Sequence, residues 1–311
     1  MRVIFMGTPD FAVGTLEAVI GAGYEVVLVV TQPDKPKGRG KNLAISPVKE
    51  CALAHDIPVF QPRRIREPEN IETLRSYAPD MIVVAAFGQI LPKEIIDMPP
   101  YGCINVHASL LPKYRGAAPI QWAVIDGEEK TGVTIMKMGV GLDDGDIIAQ
   151  EEVTLAADET GGSLFDRLAV CGARLCAETM PRIFDKTAVY TPQDEAKATH
   201  VHMIKKEMGA IDWTRSAAEL ERLIRGLNPW PSAYTSYKGK TLKLWRAEVL
   251  PENSGMAPGT VCASDKKALH VQTGEGILLI RELQLEGKKR MEADAFLRGF
   301  AIEEGETFDV L

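Results

Sequence analysis

Arg2-Val3-Ile4-Phe5-Met6-Gly7-Thr8-Pro9-Asp10-Phe11-Ala12 opens the chain, and a second apolar run, Val26-Val27-Leu28-Val29-Val30, follows after one intervening stretch. The first run, Val3 to Met6, is short and the second is rich in β-branched residues, which suits buried strands. Between them Phe11, Ala12, Leu16, Val19 and Ile20 recur at helical spacing, so Phe11 to Ala22 reads as a helix. Thr8-Pro9 is a good start for it, because a hydroxyl can cap a helix and proline fits its first position. Strand, helix and strand within about 30 residues make a βαβ unit, and such units build parallel sheets.

The same alternation continues outward. Ile71 to Tyr77 reads as a helix, Met81-Ile82-Val83-Val84-Ala85 as a buried strand, and Cys103-Ile104-Asn105-Val106 as another. A helix is expected over Pro119 to Val124, and strands of a hairpin or sheet edge over Val133 to Lys137 and Ile147 to Val153. Leu164 to Phe184 reads as a long closing helix with Cys171 and Cys176 in its core face. From Val189 the style changes: residues 190–206 have little apolar periodicity and read as a linker. Ala217 to Leu227 is a short amphipathic helix stopped by Asn228-Pro229. Five short strands with glycine-bearing turns follow, over Ala233 to Tyr237, Thr241 to Ala247, Gly259 to Ala263, Ala268 to Thr273 and Gly276 to Leu285. The expected fold is therefore α/β: a Rossmann-like domain with a mostly parallel sheet over 1–189, a linker over 190–206, and an OB-like β-barrel over 207–311.

Composition narrows the function classes. The chain has 311 residues, 25% charged and 45% apolar, which is ordinary for a globular protein. No apolar run reaches the roughly 18 residues of a membrane-spanning helix, and Met1 leads straight into a strand without a cleavable signal pattern. Five scattered cysteines without a Cys-x-x-Cys pair suit reduced thiols, so a cytoplasmic location is expected. His200-x-His202 is the one close histidine pair, and no ligand array accompanies it, so no metal is expected. The net charge of −7 argues against a generally basic nucleic-acid binder. Its distribution is uneven, however. Lys205 to Ile302 carries 16 Lys and Arg against 12 Asp and Glu, and Lys35, Lys37, Arg39 and Lys41 crowd one short stretch. Local patches of this kind can hold a polyanion, since salt screens charges beyond about 8–10 Å.

The chemistry gathers where strands of the first domain end, which is where open α/β sheets bind ligands. Asn105 and His107 are two apart on one strand and so share a face. The loop Ala108-Ser109-Leu110-Leu111-Pro112-Lys113-Tyr114-Arg115-Gly116-Ala117-Ala118-Pro119 is too specialised for a generic connection. Gly139-Val140-Gly141-Leu142-Asp143-Asp144-Gly145-Asp146 is a Gly/Asp-rich turn between two strands. An amide donor, an imidazole and a carboxylate are the parts required when an amine attacks a formyl carbon. The amide donates to the developing oxyanion, the imidazolium stabilises it or passes a proton, and the carboxylate orients the ring. Residue chemistry alone leaves other readings open: His107 as a structural histidine, and Asp143, Asp144 and Asp146 as turn residues or a weak cation site. Gly7-Thr8-Pro9 lacks the Gly-x-Gly-x-x-Gly pattern, so no dinucleotide site is expected.

Asn105-Val106-His107-Ala108-Ser109-Leu110-Leu111-Pro112, followed by Gly141-Leu142-Asp143-Asp144-Gly145-Asp146-Ile147, resembles the folate-dependent formyltransferase family. Phe5 to Ala12, Arg115-Gly116-Ala117-Ala118-Pro119-Ile120-Gln121, Lys205-Lys206-Glu207 to Asp212-Trp213, Asn228-Pro229-Trp230-Pro231 and Gly287-Lys288-Lys289-Arg290 extend the likeness nearly end to end. The resemblance implies that Asn105, His107 and Asp143 are the catalytic trio. It implies a folate pocket lined by Ser109, Leu110, Leu111 and Pro112, by Phe87, Gln89, Ile90 and Leu91, and by the turn from Val140 to Asp144. Relatives often carry Thr, Ser or Gly at the position of Asp144, so this residue is a departure. The donor implied is 10-formyltetrahydrofolate, with no metal. The acceptor implied is the α-amino group of methionine esterified to initiator tRNA, with Lys35, Lys37, Arg39 and Lys41 on the acceptor end, the barrel supporting the arm, and a monomeric enzyme. A formyltransferase acting on a nucleotide-linked amino sugar is the nearer alternative. It would share trio and folate but need neither the basic stretch nor the barrel. A non-enzymatic α/β binding module is the farther one, and the intact Asn/His/Asp set argues against it.

Overall fold

β1 (Arg2–Gly7) is an interior strand of a seven-stranded sheet in the computed structural model, which describes residues 1–37, 42–265 and 267–309. Val3 to Met6 are fully buried, because helices cover both faces of a parallel sheet and leave no polar side for alternation. The chain continues through α1 (Asp10–Gly21), β2 (Glu25–Val30), the short antiparallel pair β3 (Lys35–Lys37) and β4 (Asn42–Ala44), and α2 (Pro47–Ala54). Ser46 caps α2 by accepting from the Lys49 N–H, and Pro47 takes the first helical position. Next come β5 (Val59–Phe60), α3 (Pro68–Ser76), β6 (Met81–Ala85), α4 (Lys93–Ile96), β7 (Cys103–His107), β8 (Arg115–Gly116) and α5 (Pro119–Asp126). β9 (Lys130–Lys137), β10 (Ile147–Thr154), α6 (Gly161–Phe184) and β11 (His200–Val201) complete this part.

The sheet order is β10-β9-β7-β6-β1-β2-β5. From β7 to β5 all pairs are parallel, while β9 and β10 run antiparallel. Met6 pairs with Val30 and Val84, and Val84 pairs with Asn105, so the carboxyl ends of β2, β1, β6 and β7 fall in line. That register puts Asn105 and His107 at the edge where ligands of α/β sheets bind. α6 presses on β7 because Gly172 has no side chain: a Cβ there would sit 2.8 Å from Val106 Cγ1. Cys171 and Cys176 are buried in this packing, and burial pushes the Cys176 thiol up to about 12. Both are core residues, as their spacing implied.

Two compact units divide the chain. One comprises Met1–Pro119, Lys130–Thr154 and Phe165–Val201, and the other Ile120–Glu129, Leu155–Leu164 and His202–Leu311. The second unit thus recruits most of α5 and the segment before α6. It then adds α7 (Ala217–Gly226) and the strands β12 (Ala233–Tyr237), β13 (Lys240–Leu250), β14 (Val261–Asp265), β15 (Ala268–Gln272), β16 (Ile277–Leu285) and β17 (Met291–Glu292). α8 (Ala293–Gly299) follows. Arg222 Nε donates to the Ile125 carbonyl at 3.1 Å, and Arg225 Nη1 to the Glu159 carbonyl at 2.8 Å, which ties the recruited segments to α7. α7 starts with a capping box in which Ser216 and Glu219 satisfy each other's backbone donors, and those bonds hold the Glu219 carboxyl at about 2.

The strands of this unit form an antiparallel sheet in the order β12-β13-β16-β15-β14, with β17 beside β16. Register shifts near Arg246 on β13 mark bulges, which bend a strand and increase its twist. The sheet curls into a half-barrel. Its two edges are reached by the C-terminal segment, through bridges from Ser236 to Asp309 and from Thr260 to Thr307. Trp213 stacks on Phe308 and Tyr237 donates its hydroxyl to Glu306, so this segment is anchored by side chains as well. No helix of the described residues is long and apolar enough to cross a membrane.

Candidate active site

His107 closes β7, and only 6% of its surface is exposed. Its Nε2–H donates to the Tyr114 carbonyl at 3.0 Å, and its Nδ1 faces Asp143 Oδ2 at 3.6 Å. The same Oδ2 accepts the Gly116 N–H at 2.8 Å. Two ring nitrogens therefore face two oxygens, an arrangement that accommodates an imidazolium. Asp143 reaches the ring because its backbone is left-handed, with φ at 49°. Tyr114 and Ala118 are left-handed too, with φ at 61° and 62°. Such conformations cost roughly 1–2 kcal/mol per residue, so they persist only where surrounding bonds hold them.

Asn105 stands two residues before His107 on the same face of β7, opposite Met136 of β9. It is half-buried, and among the described residues its carboxamide has no protein hydrogen-bond partner. An amide donor beside a His–Asp pair at a strand end is thus left for a ligand.

The loop after β7 is held by groups that sequence reading missed. Thr134 Oγ1 donates to the Ser109 carbonyl at 2.6 Å and accepts the Leu111 N–H at 3.1 Å. Gln150 Nε2 donates to the Leu111 carbonyl and to Thr134 Oγ1, at 2.8 and 2.9 Å. A signal was present: Thr134 is a hydroxyl between the apolar Val133 and Ile135 of a buried strand and pairs in register with His107.

The residues expected to line a folate pocket fall into two groups. Ser109 is fully buried and donates to the Lys113 carbonyl, while Leu111, Phe87 and Leu91 are buried, the last two in the sheet's core. Leu110, Pro112 and Gln89 are half-buried. Gln89 is committed to backbone, accepting the Ile65 N–H and donating to the Pro62 carbonyl. Ile90 and Val140 are 85% and 67% exposed, which leaves them free to meet a ligand. Asp144 is exposed and curls over Gly139 and Gly141; a Cβ on Gly141 would lie 1.9 Å from its Oδ2. Asp144 therefore covers the glycines of the turn, while Asp143 is the carboxylate that faces the ring.

Of the basic stretch, Lys35 is exposed at the start of β3 and Lys37 ends that strand, while Arg39 and Lys41 lie outside the described residues. The chain entering this stretch is tied down. Lys49 pairs with Asp34 at 2.6 Å, and Gln61 donates to Asp34 and to the Gln32 carbonyl. Hydrogen bonds from Lys49 and Gln61 hold the Asp34 carboxyl below the usual range.

Residues 1–180 match the formyl transferase family model and residues 203–301 match the model of the formyl transferase C-terminal domain. Methionyl-tRNA formyltransferase of Agathobacter rectalis is 65% identical over 308 residues, 99% of each chain. That of Bacillus subtilis is 51% identical over 310 residues, covering 99% of this chain and 98% of the relative. The chain belongs to the methionyl-tRNA formyltransferase family. The enzyme's fold also matches solved structures at far lower identity. A sugar 3N-formyl transferase solved with dTDP and 5-N-formyl-THF superposes with a TM-score of 0.67 at 18% identity, covering 93% of this chain and 99% of that one. An N-formyltransferase from Helicobacter canadensis, in complex with folinic acid and dTDP-3-aminofucose, has a TM-score of 0.66 at 17% identity, covering 94% and 100%. The sugar enzymes share the fold with this formyltransferase, whereas full-length identities of half or more point to its tRNA-modifying relatives.

Proposed function

We propose that this enzyme transfers the formyl group of 10-formyltetrahydrofolate to the α-amino group of methionine esterified to initiator tRNA. The observation that carries the chemistry is the unpartnered Asn105 carboxamide beside the His107–Asp143 pair at the end of β7. Identities of 48–65% to methionyl-tRNA formyltransferases support the acceptor, and the folate ligands of the fold relatives are consistent with the donor. The neutral amine attacks the formyl carbon, and the new C–N bond places negative charge on the formyl oxygen. Asn105 Nδ2–H donates to that oxyanion, and a positively charged His107, buried at the end of β7, stabilises it electrostatically. Asp143 orients His107 through Nδ1, and its carboxylate accepts the proton that the attacking nitrogen sheds. Collapse breaks the bond to the folate nitrogen, which takes up a proton and leaves as tetrahydrofolate.

The folate ring system fits between the exposed Ile90 and Val140 and the Leu110–Pro112 loop, while Phe87, Leu91, Ser109, Leu111 and Gln89 hold that surface from beneath and Asp144 lies at its rim. Lys35, Lys37, Arg39 and Lys41 meet the phosphates of the acceptor end, and the half-barrel supports the arm. The enzyme works as a monomer in the cytoplasm, with catalysis by residues 1–189, joined through 190–206 to a tRNA-binding part over 207–311, and without a metal. The test is an assay of formyl transfer from 10-formyltetrahydrofolate to charged initiator tRNA, run beside a nucleotide-linked amino sugar. Formylation of the tRNA alone is expected, and formylation of the sugar alone would overturn the reading.

A further inference from the structure

Residues 191–201 have no apolar periodicity, yet they bond repeatedly to the two loops that flank His107. At one end Thr191 and Ile147 exchange backbone hydrogen bonds at 2.8 and 2.9 Å. At the other, β11 pairs in parallel with β8. Between these ends sits Gln193. Its Nε2 donates to the carbonyls of Asp143 and Gly145, at 2.8 and 2.7 Å. Its Oε1 accepts Arg115 Nε and Nη2, at 3.0 and 2.9 Å. Arg115 is 3% exposed, and Glu195 takes two more of its five donors, at 2.7 and 3.0 Å. Every donor and acceptor of the Gln193 carboxamide is thus used, and a flipped amide would set oxygen against two carbonyls and NH2 against a guanidinium. Arg115 fixes which way the amide points.

The other partner of His107 is held by the same segment. Tyr114, whose carbonyl accepts the ring Nε2–H, gives its own N–H to Thr199 Oγ1 at 2.8 Å, and the Arg115 N–H goes to the Thr199 carbonyl at 2.8 Å. Tyr114 and Asp143 both have left-handed backbones, and both are clipped by residues 191–201. We propose that this segment is a strap over the catalytic site, in which Gln193, anchored by Arg115, is a positioning residue that aims the Asp143 carboxylate at His107. The proposal rests on the reading of His107 and Asp143 as catalytic, and it extends the site to a stretch that otherwise only connects.

The experiment is a double-mutant cycle on the full-length enzyme, with charged initiator tRNA and 10-formyltetrahydrofolate. Gln193→Met keeps the side chain's length and removes both donors; Gln193→Glu keeps the acceptor for Arg115 and sets a charged oxygen against the two carbonyls. Losing two hydrogen bonds to a strained turn predicts that kcat falls by about 10- to 100-fold, with KM for both substrates within about threefold. In the Asp143→Asn background the same Gln193 substitutions should cost less than about threefold, because the carboxylate they position is already gone. Thermal melting of each variant reports folding, and either Gln193 variant alone suffices for the cycle. Independent, multiplicative losses from Gln193 and Asp143, or a change in KM alone, would overturn the strap. Normal turnover of Asp143→Asn would instead overturn the catalytic reading beneath it.

Discussion

Asp143→Asn isolates the charge of the candidate carboxylate while keeping its shape. Oδ2 lies 3.6 Å from His107 Nδ1, and the two side chains are 14% and 7% exposed. At an effective dielectric of about 20, a carboxylate and an imidazolium at that separation attract by roughly 4–5 kcal/mol, which is an upper bound. Solvent at the Asp143 side and the residual dipole of the amide offset about half, leaving roughly 2–3 kcal/mol, or a rate loss of about 30- to 150-fold. The amide oxygen can still accept the Gly116 N–H, so the turn should keep its conformation. Asp144→Asn should cost less than about threefold, because its exposed side chain curls over Gly139 and Gly141 and makes no contact with His107. The assay is single-turnover formylation of charged initiator tRNA at saturating folate, where chemistry is separated from binding and release. Equal losses from the two substitutions, or an Asp143→Asn rate within a few-fold of the parent, would show that the carboxylate is wrongly assigned.

Removing the ring should be more severe: His107→Ala is expected to lower turnover by about 10²–10³ with folate binding little changed, measured by kinetics and ligand titration, and near-normal turnover would sink the role. Arg39→Ala should raise KM for charged tRNA while leaving folate binding alone. Replacing Lys35, Lys37, Arg39 and Lys41 together should flatten the log–log salt dependence of tRNA binding, by about 0.7–0.9 for each phosphate that is no longer neutralised; an unchanged slope would remove this stretch from the interface. In the second unit, hydrogen bonds from Lys238 and Tyr237 hold the Glu306 carboxyl at about 2, below its ordinary 4.5. A depressed carboxylate contributes stability above its unfolded value and loses it as pH falls through the folded one. The parent should therefore lose melting temperature between pH 4.5 and about 2, and Glu306→Gln should lose less over the same window. Parallel curves would refute the anchoring of the C-terminal segment by Glu306 on Tyr237 and Lys238.

Local patterning decided much of this protein. The run from Val3 to Val30 specifies strand, helix and strand because burial on both faces demands continuous apolar residues, and a helix must repeat its apolar face every turn. Met81–Ala85 and Ala233–Tyr237 have the bounds that pattern and turn residues implied. α2 escaped notice because eight residues offer only Val48, Cys51 and Ala52 as a periodic face, although Ser46-Pro47 marked its start. The motifs around Asn105, His107 and Asp143 were legible as residues and as a family likeness. Their meeting was not, since residues 36 positions apart touch only when β7 and β9 pair and the turn at Asp143 goes left-handed. Still less legible were Thr134, Gln150, Gln193 and Thr199. Each is a polar side chain whose role comes from a backbone carbonyl or N–H far along the chain, and sequence spacing carries no record of such bonds. Only the folded chain brings Gln193 onto the turn that carries Asp143, because buried donors and acceptors must find partners wherever the tertiary structure supplies them.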